Sequence, residues 1–248
     1  MDDKLLEQLV PTGVLRAGIN MSNFLLVNRT SDDGQPDGVS PAIARAMAEK
    51  LGVAVKLVPF KGPGEVADAA ADDVWDIANI AAEPERAKTI TFSHAYSEIQ
   101  ATYLLPANSS LESVEAVDAP GNRIAVKGRA AFELWLTDHL KHASLVKEAS
   151  HDIAFDVFVR DSLDALAGLR PKLIEQQQML SGSKLLSDSF TAVQQSIGCR
   201  PDRPEAATFI DAFVKDSLAN GLVQALICLL YTSPSPRDAT LSRMPSSA

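Results

Sequence analysis

A Pro-Glu-Arg triplet at Pro84, Glu85 and Arg86 follows an apolar run over residues 77–82, which is itself preceded by Trp75 and Asp76. The run reads as a buried strand. Pro84 then opens a short helix at the first helical position, where a missing N–H is tolerated. Arg86 accordingly falls in the first turn of a helix just past a strand's carboxyl end. Open α/β sheets bind ligands at that edge, and the free N–H groups of a helix start favour an anion. A guanidinium there can grip a carboxylate with two parallel hydrogen bonds. By spacing alone, a surface arginine paired with Glu83 or Glu85 is the simpler account.

Covalent, metal and cofactor chemistry find no comparable foothold. His94, His139, His142 and His151 do not cluster; His139 and His142 share a helix face without a third ligand, so no metal site is expected. There is no Gly-x-Ser-x-Gly elbow and no cysteine–histidine pairing, and Cys199 and Cys228 are too few for a disulfide framework. Gly62, Pro63 and Gly64 lack the Gly-Lys-Ser/Thr ending of a phosphate loop. No catalytic residue and no cofactor are therefore expected. A formal net charge of −9, without any basic run, argues against a nucleic-acid partner. No apolar stretch approaches the roughly 20 residues that span a bilayer.

The elements that must hold Arg86 in place alternate along the chain. At 248 residues and 46% hydrophobic, the protein can bury one large core or two modest ones. Residues 14–20 read as a first strand, 31–38 as a hairpin or loop, and 53–58 as a second strand. Between them, Ser40 is expected to cap a helix with Pro41 at its first position, Gly52 as its stop, and Ile43, Met47 and Leu51 as its buried stripe. A further helix around Val66–Ala70 leads to the strand after Asp76. A second series follows: strands at 123–127, 144–149 and 164–169, with helices at 130–141 and 151–161. Residues 190–195 look like a returning strand and 205–227 like one long amphipathic helix. Strand–helix alternation of this kind implies parallel sheets with right-handed crossovers. Trp75 and Trp135 are expected in the core.

Asp76, the apolar strand, Pro84-Glu85-Arg86-Ala87, and then Phe92-Ser93 with Tyr96 together resemble the signature of bacterial extracellular solute-binding proteins of family 3, the amino-acid-type receptors of ABC transporters. The resemblance spans roughly residues 11–227. It implies an α/β, two-lobed fold of the type II periplasmic-binding-protein kind, each lobe a mostly parallel sheet flanked by helices, joined by two crossing segments. Lobe 1 would comprise residues 11–104 and 194–227, with lobe 2, residues 105–193, inserted. Residues 228–248, rich in Ser, Pro, Thr and Arg, are expected to be a disordered tail resembling translated read-through rather than native sequence.

The same resemblance implies a ligand-binding set. Arg86 would hold the ligand's carboxylate. Asn79 and Ala81 occupy lobe-1 positions that usually carry small polar groups, and Phe24 stands where an aromatic wall is usual; Asn20, Asn23 and Tyr96 are further candidates. In lobe 2, Gly128-Arg129-Ala130 replaces the usual Gly-Thr or Gly-Ser, with Arg129 a candidate second anion contact. Leu169 stands where amino-acid receptors place an Asp for the ligand's amine; Asp161 is the alternative match, but residues 156–161 carry the apolar spacing of a helix, so Leu169 is preferred. A buried ammonium without a carboxylate partner is strongly unfavourable, so a carboxylate or other anion without an α-amine is expected, with an amino acid as the alternative. The implied partners are a small anionic or zwitterionic solute and a membrane permease, with the receptor monomeric and no nucleic acid involved. The family implies an extracytoplasmic location. Residues 1–7 are acidic and amphipathic rather than leader-like, which leaves a cytoplasmic, ligand-sensing module as one alternative; a dehydratase-like enzyme on the same fold is another.

Overall fold

The computed structural model describes residues 3–30 and 34–232. Among them, ten strands form one continuous sheet. Val14–Asn20 lies parallel between Ala54–Phe60 and Ile77–Ala81. At the other end, Arg123–Lys127 lies parallel between Ser144–Glu148 and Ala165–Leu169. Two long antiparallel strands, Ser97–Leu105 and Thr191–Cys199, join these parallel units. Gln195 sits opposite both Ala81 and Ser97, and Ala101 opposite both Thr191 and Leu169, so each long strand changes partner midway. This is the two-lobed α/β arrangement with two crossing segments.

Helices cover both units for local reasons. In Val39–Leu51 the stripe Ile43, Met47 and Leu51 is fully buried, and Gly52 ends the helix in the left-handed region at φ 68°. The start differs from expectation. Gly38, at φ 138°, is the residue before the helix; a Cβ there would lie 2.5 Å from the Leu26 carbonyl oxygen. Ser40 lies inside the first turn, and its hydroxyl is 3.0 Å from the buried Tyr96 hydroxyl instead of capping the helix. The helix expected over 205–227 is two, Pro204–Ala219 and Leu222–Thr232, because Gly221 takes a left-handed φ of 79° between them. The second helix runs past residue 228, where the tail was expected to begin; residues 233–248 of that tail lie outside the described residues.

One core of the first unit gathers Leu15, Ile19, Ile43, Met47, Ile77, Phe213 and Val214. The second unit buries Val126, Phe132, Leu136 and Ala167 on one sheet face and Phe155, Phe158 and Leu166 on the other. Asp76, fully buried, explains the acid before the signature strand. Its carboxylate accepts the Arg16 backbone N–H (2.9 Å) and the Arg16 and Arg203 guanidinium groups (2.8–3.0 Å). It thereby ties the strand Val14–Asn20 to the segment leading into Pro204–Ala219. Trp75 is core, as expected, donating its indole N–H to the Val66 carbonyl at 3.0 Å. No helix among the described residues is long and apolar enough to cross a membrane.

Candidate functional site

The strand Ile77–Ala81 is buried at every position and delivers the chain to the edge where the two units meet. Beyond it, Pro84 does not start an α-helix; only a 3₁₀ turn, Arg86–Lys88, forms, so there is no extended helix start to hold an anion. Arg86 itself points inward and is only 4% exposed, which excludes the surface-arginine account. Its Nη1 donates to the Ala81 carbonyl at 2.9 Å, and its Nη2 to the Arg129 carbonyl in the opposite lobe at 3.1 Å. Burial pulls its pKa down to about 10, against the favourable charge of Glu83, so it stays cationic at neutral pH. It makes no ion pair among the described residues.

Arg86 borders a small cavity of about 40 Å³ between the lobes. Ala81 forms the wall beside it, with Val193 and Gln195 from the returning strand. Across the gap stand Ala130, at the start of Ala131–His139, and Leu169, at the end of Ala165–Leu169. The structure thus brings Arg86, Ala81, Ala130 and Leu169 together. Among the described residues, no carboxylate lines this cavity.

Three expected contacts lie elsewhere. Asn79 is two residues before Ala81 on the same strand face, but it is flanked in register by Ile19 and Ile197 and is buried there with both side-chain amide atoms unpartnered. Phe24 stands behind the cavity wall: its edge meets the His151 ring (centroids 6.3 Å apart) and the Lys172 ammonium lies 5.5 Å from its centre. Arg129, at a left-handed φ of 61°, sends its side chain away from the cavity. Its Nη2 donates to Asp68 Oδ1 at 2.7 Å and the Gly64 carbonyl at 3.1 Å, so the expected second anion contact is instead a tie between lobes. A Cβ on Gly64 would lie 2.5 Å from that guanidinium. Tyr96 is structural, bonded to Ser40.

Two residues were not singled out from sequence. Lys127, the last residue of Arg123–Lys127, is 6% exposed and lines the cavity. Its ammonium donates to the Ser22 hydroxyl, which donates in turn to Asn20 Oδ1 at 2.8 Å, a chain running from lobe to lobe. Burial, aided by the neighbouring Arg86 charge, lowers its pKa to about 8. His151 lines the cavity with its ring stacked on Phe132 (6.0 Å, 29°). Burial and the charges of Lys127 and Lys172 lower its pKa to about 4, so it is neutral near pH 7. A lysine closing a strand beside a predicted helix start was the available signal for the first. Nothing in the sequence distinguished His151 from the other histidines.

A more open cleft of about 780 Å³ also touches Arg86 and is lined by Arg129, Lys88 and Arg200. There the cations are already matched: Arg129 with Asp68 (2.7 Å), Lys88 with Glu85 (2.6 Å) and Arg200 with Asp202 (2.7 Å). The small cavity, with two buried cations that make no ion pair among the described residues, is the better anion site. Among the described residues no group of three metal-ligating side chains comes together.

Comparison with known proteins agrees with this architecture. The model of "Bacterial extracellular solute-binding proteins, family 3" matches residues 15–227. No curated protein matches the sequence. Among solved structures, the chain is similar to the ancestral amino acid-binding protein AncCDT-1, a precursor of cyclohexadienyl dehydratase, at 22% identity and TM-score 0.73, over 92% of this chain and 99% of that one. It is similar to a putative ABC-transporter binding component from Wolinella succinogenes complexed with lysine, at 18% identity and TM-score 0.75, over 92% and 99%. A mutant of ArgBP from T. maritima aligns at 17% identity and TM-score 0.74, over 92% and 100%. The chain belongs to the family 3 bacterial extracellular solute-binding proteins.

Proposed function

We propose that this protein is the solute receptor of an ABC transporter and closes around a small carboxylate-bearing solute that has no α-ammonium group. The carrying observation is the cavity itself, which holds the buried Arg86 guanidinium, has Leu169 opposite, and is lined by no carboxylate among the described residues. Beyond its two carbonyl contacts Arg86 has further N–H groups for a carboxylate. An ammonium here would lose its water, meet the like charges of Arg86 and Lys127, and find no carboxylate among the described lining residues. The lobes are taken as residues 11–104 with 194–227 and residues 105–193; the partner changes at Gln195 and Ala101 support a hinge between them. Closure needs ligand contacts from both lobes, so that the ligand binds the closed form better than the open one. In this account the receptor acts as a monomer, presents its closed form to a membrane permease, works outside the cytoplasm, and binds its solute without turning it over.

A thermal-shift screen tests this. A ligand at a hundred times its Kd stabilises the fold by ~2.7 kcal/mol. Simple carboxylates are expected to raise Tm, and arginine, lysine and other α-amino acids to do so weakly or not at all. Stabilisation only by compounds bearing an α-ammonium group would overturn the choice of ligand. Consumption of a bound compound, followed by NMR over hours, would replace the receptor with an enzyme.

A further inference from the structure

Building on the receptor proposed above, we infer that Lys127 is a second anion-binding group, and that the solute is a short dicarboxylate spanning Arg86 of one lobe and Lys127 of the other. Both side chains are more than nine-tenths buried, both line the same cavity, and neither has an ion-pair partner among the described residues. Lys127 has one protein acceptor, the Ser22 hydroxyl, and an ammonium has three N–H groups to place. A single carboxylate on Arg86 would leave the second cation desolvated and uncompensated, a state that buried charges avoid.

The walls between the two cations say what joins the two anionic groups. Ala81, Ala130 and Leu169 are the apolar part of the lining and suit methylene groups. A tetrahedral oxyanion such as sulfate or phosphate needs donors on all sides, which these walls do not supply. Asn23, 8% exposed, also lines the cavity, and its side-chain amide N–H groups can donate to a carboxylate there. His151, beside Lys127 and neutral, can donate one N–H to the second carboxylate.

The test is calorimetric titration of the full chain at pH 7 with malonate and succinate, their singly charged counterparts propionate and butyrate, and sulfate and phosphate. The dicarboxylates are expected to bind at least ~10-fold tighter than the monocarboxylates, about one charge-assisted hydrogen bond. Lys127→Met should erase that difference by weakening only the dicarboxylates, while Lys127→Arg should keep it. Circular dichroism of each variant separates loss of binding from loss of fold. Equal affinity for both classes, or a Lys127→Met effect shared by both, would overturn the role of Lys127 and leave the carboxylate receptor standing. Binding of sulfate or phosphate in preference to dicarboxylates would overturn the solute class. Absence of binding by any carboxylate to the unaltered protein would overturn the receptor reading beneath it.

Discussion

At the scale of single residues, the site is defined by two buried cations, Arg86 and Lys127, that make no ion pair among the described residues. A buried lysine or histidine whose charge is not matched should weaken the fold over a definite pH range. His151 is held down to about 4 from its ordinary 6.5, so the unfolded chain binds more protons between those values. Its contribution is fully present above pH 6.5 and is lost as pH falls towards 4. His151→Phe should therefore flatten the decline in stability over that window, measured by urea unfolding at a series of pH values; an unchanged slope would contradict the assignment. Lys127, lowered to about 8, works in the same direction at the other end: unfolding takes up a proton between about 8 and 10.5, so stability rises across that range. The sequence reading reached Arg86, Ala81, Ala130 and Leu169 through a shared pattern. It missed Lys127 because a lysine at the end of a strand is ordinarily solvated, and only the opposite lobe buries this one. It misplaced Asn79 because strand alternation gives the correct face but not the depth at which Ile19 and Ile197 cover it.

At the scale of elements, apolar runs and period were sufficient for the strands at 14–20, 77–81 and 123–127, since buried parallel strands read as continuous hydrophobic stretches. Boundaries that depend on one backbone angle were not legible. Gly221 breaks the last helix, and Pro84 leads only to a 3₁₀ turn. Arg129 belongs to the same class: its left-handed φ, invisible in the sequence, swings the side chain from the expected anion site to Asp68. That turn gives an element-level prediction. Asp68→Asn removes a half-exposed ion pair worth at most about 1 kcal/mol, yet it loosens a contact made only when the lobes are together. The unliganded variant should show a larger radius of gyration by small-angle X-ray scattering and recover the compact value when a carboxylate ligand is added. Identical scattering with and without the substitution would mean that the tie does not hold the lobes.

At the scale of the whole molecule, one sheet runs through both lobes, and the two long strands carry the only sheet hydrogen bonds between its parallel units among the described residues. The site lies beside that junction, where strand ends of both units converge. In the receptor proposed above, the contacts from Arg86 to the Arg129 carbonyl and from Lys127 to Ser22 across the gap are the ones a bound solute replaces or adds to. A solute that replaces or adds to those contacts biases the molecule towards the closed form in proportion to its differential affinity. The most direct measurement is a crystal structure of the protein with the tightest carboxylate from the thermal screen. A carboxylate oxygen within hydrogen-bonding distance of the Arg86 guanidinium, with lobe-2 groups closing over the same molecule, is the predicted result. A carboxylate seated instead in the open cleft beside Arg200, with Arg86 still held only by the Ala81 and Arg129 carbonyls, would contradict it.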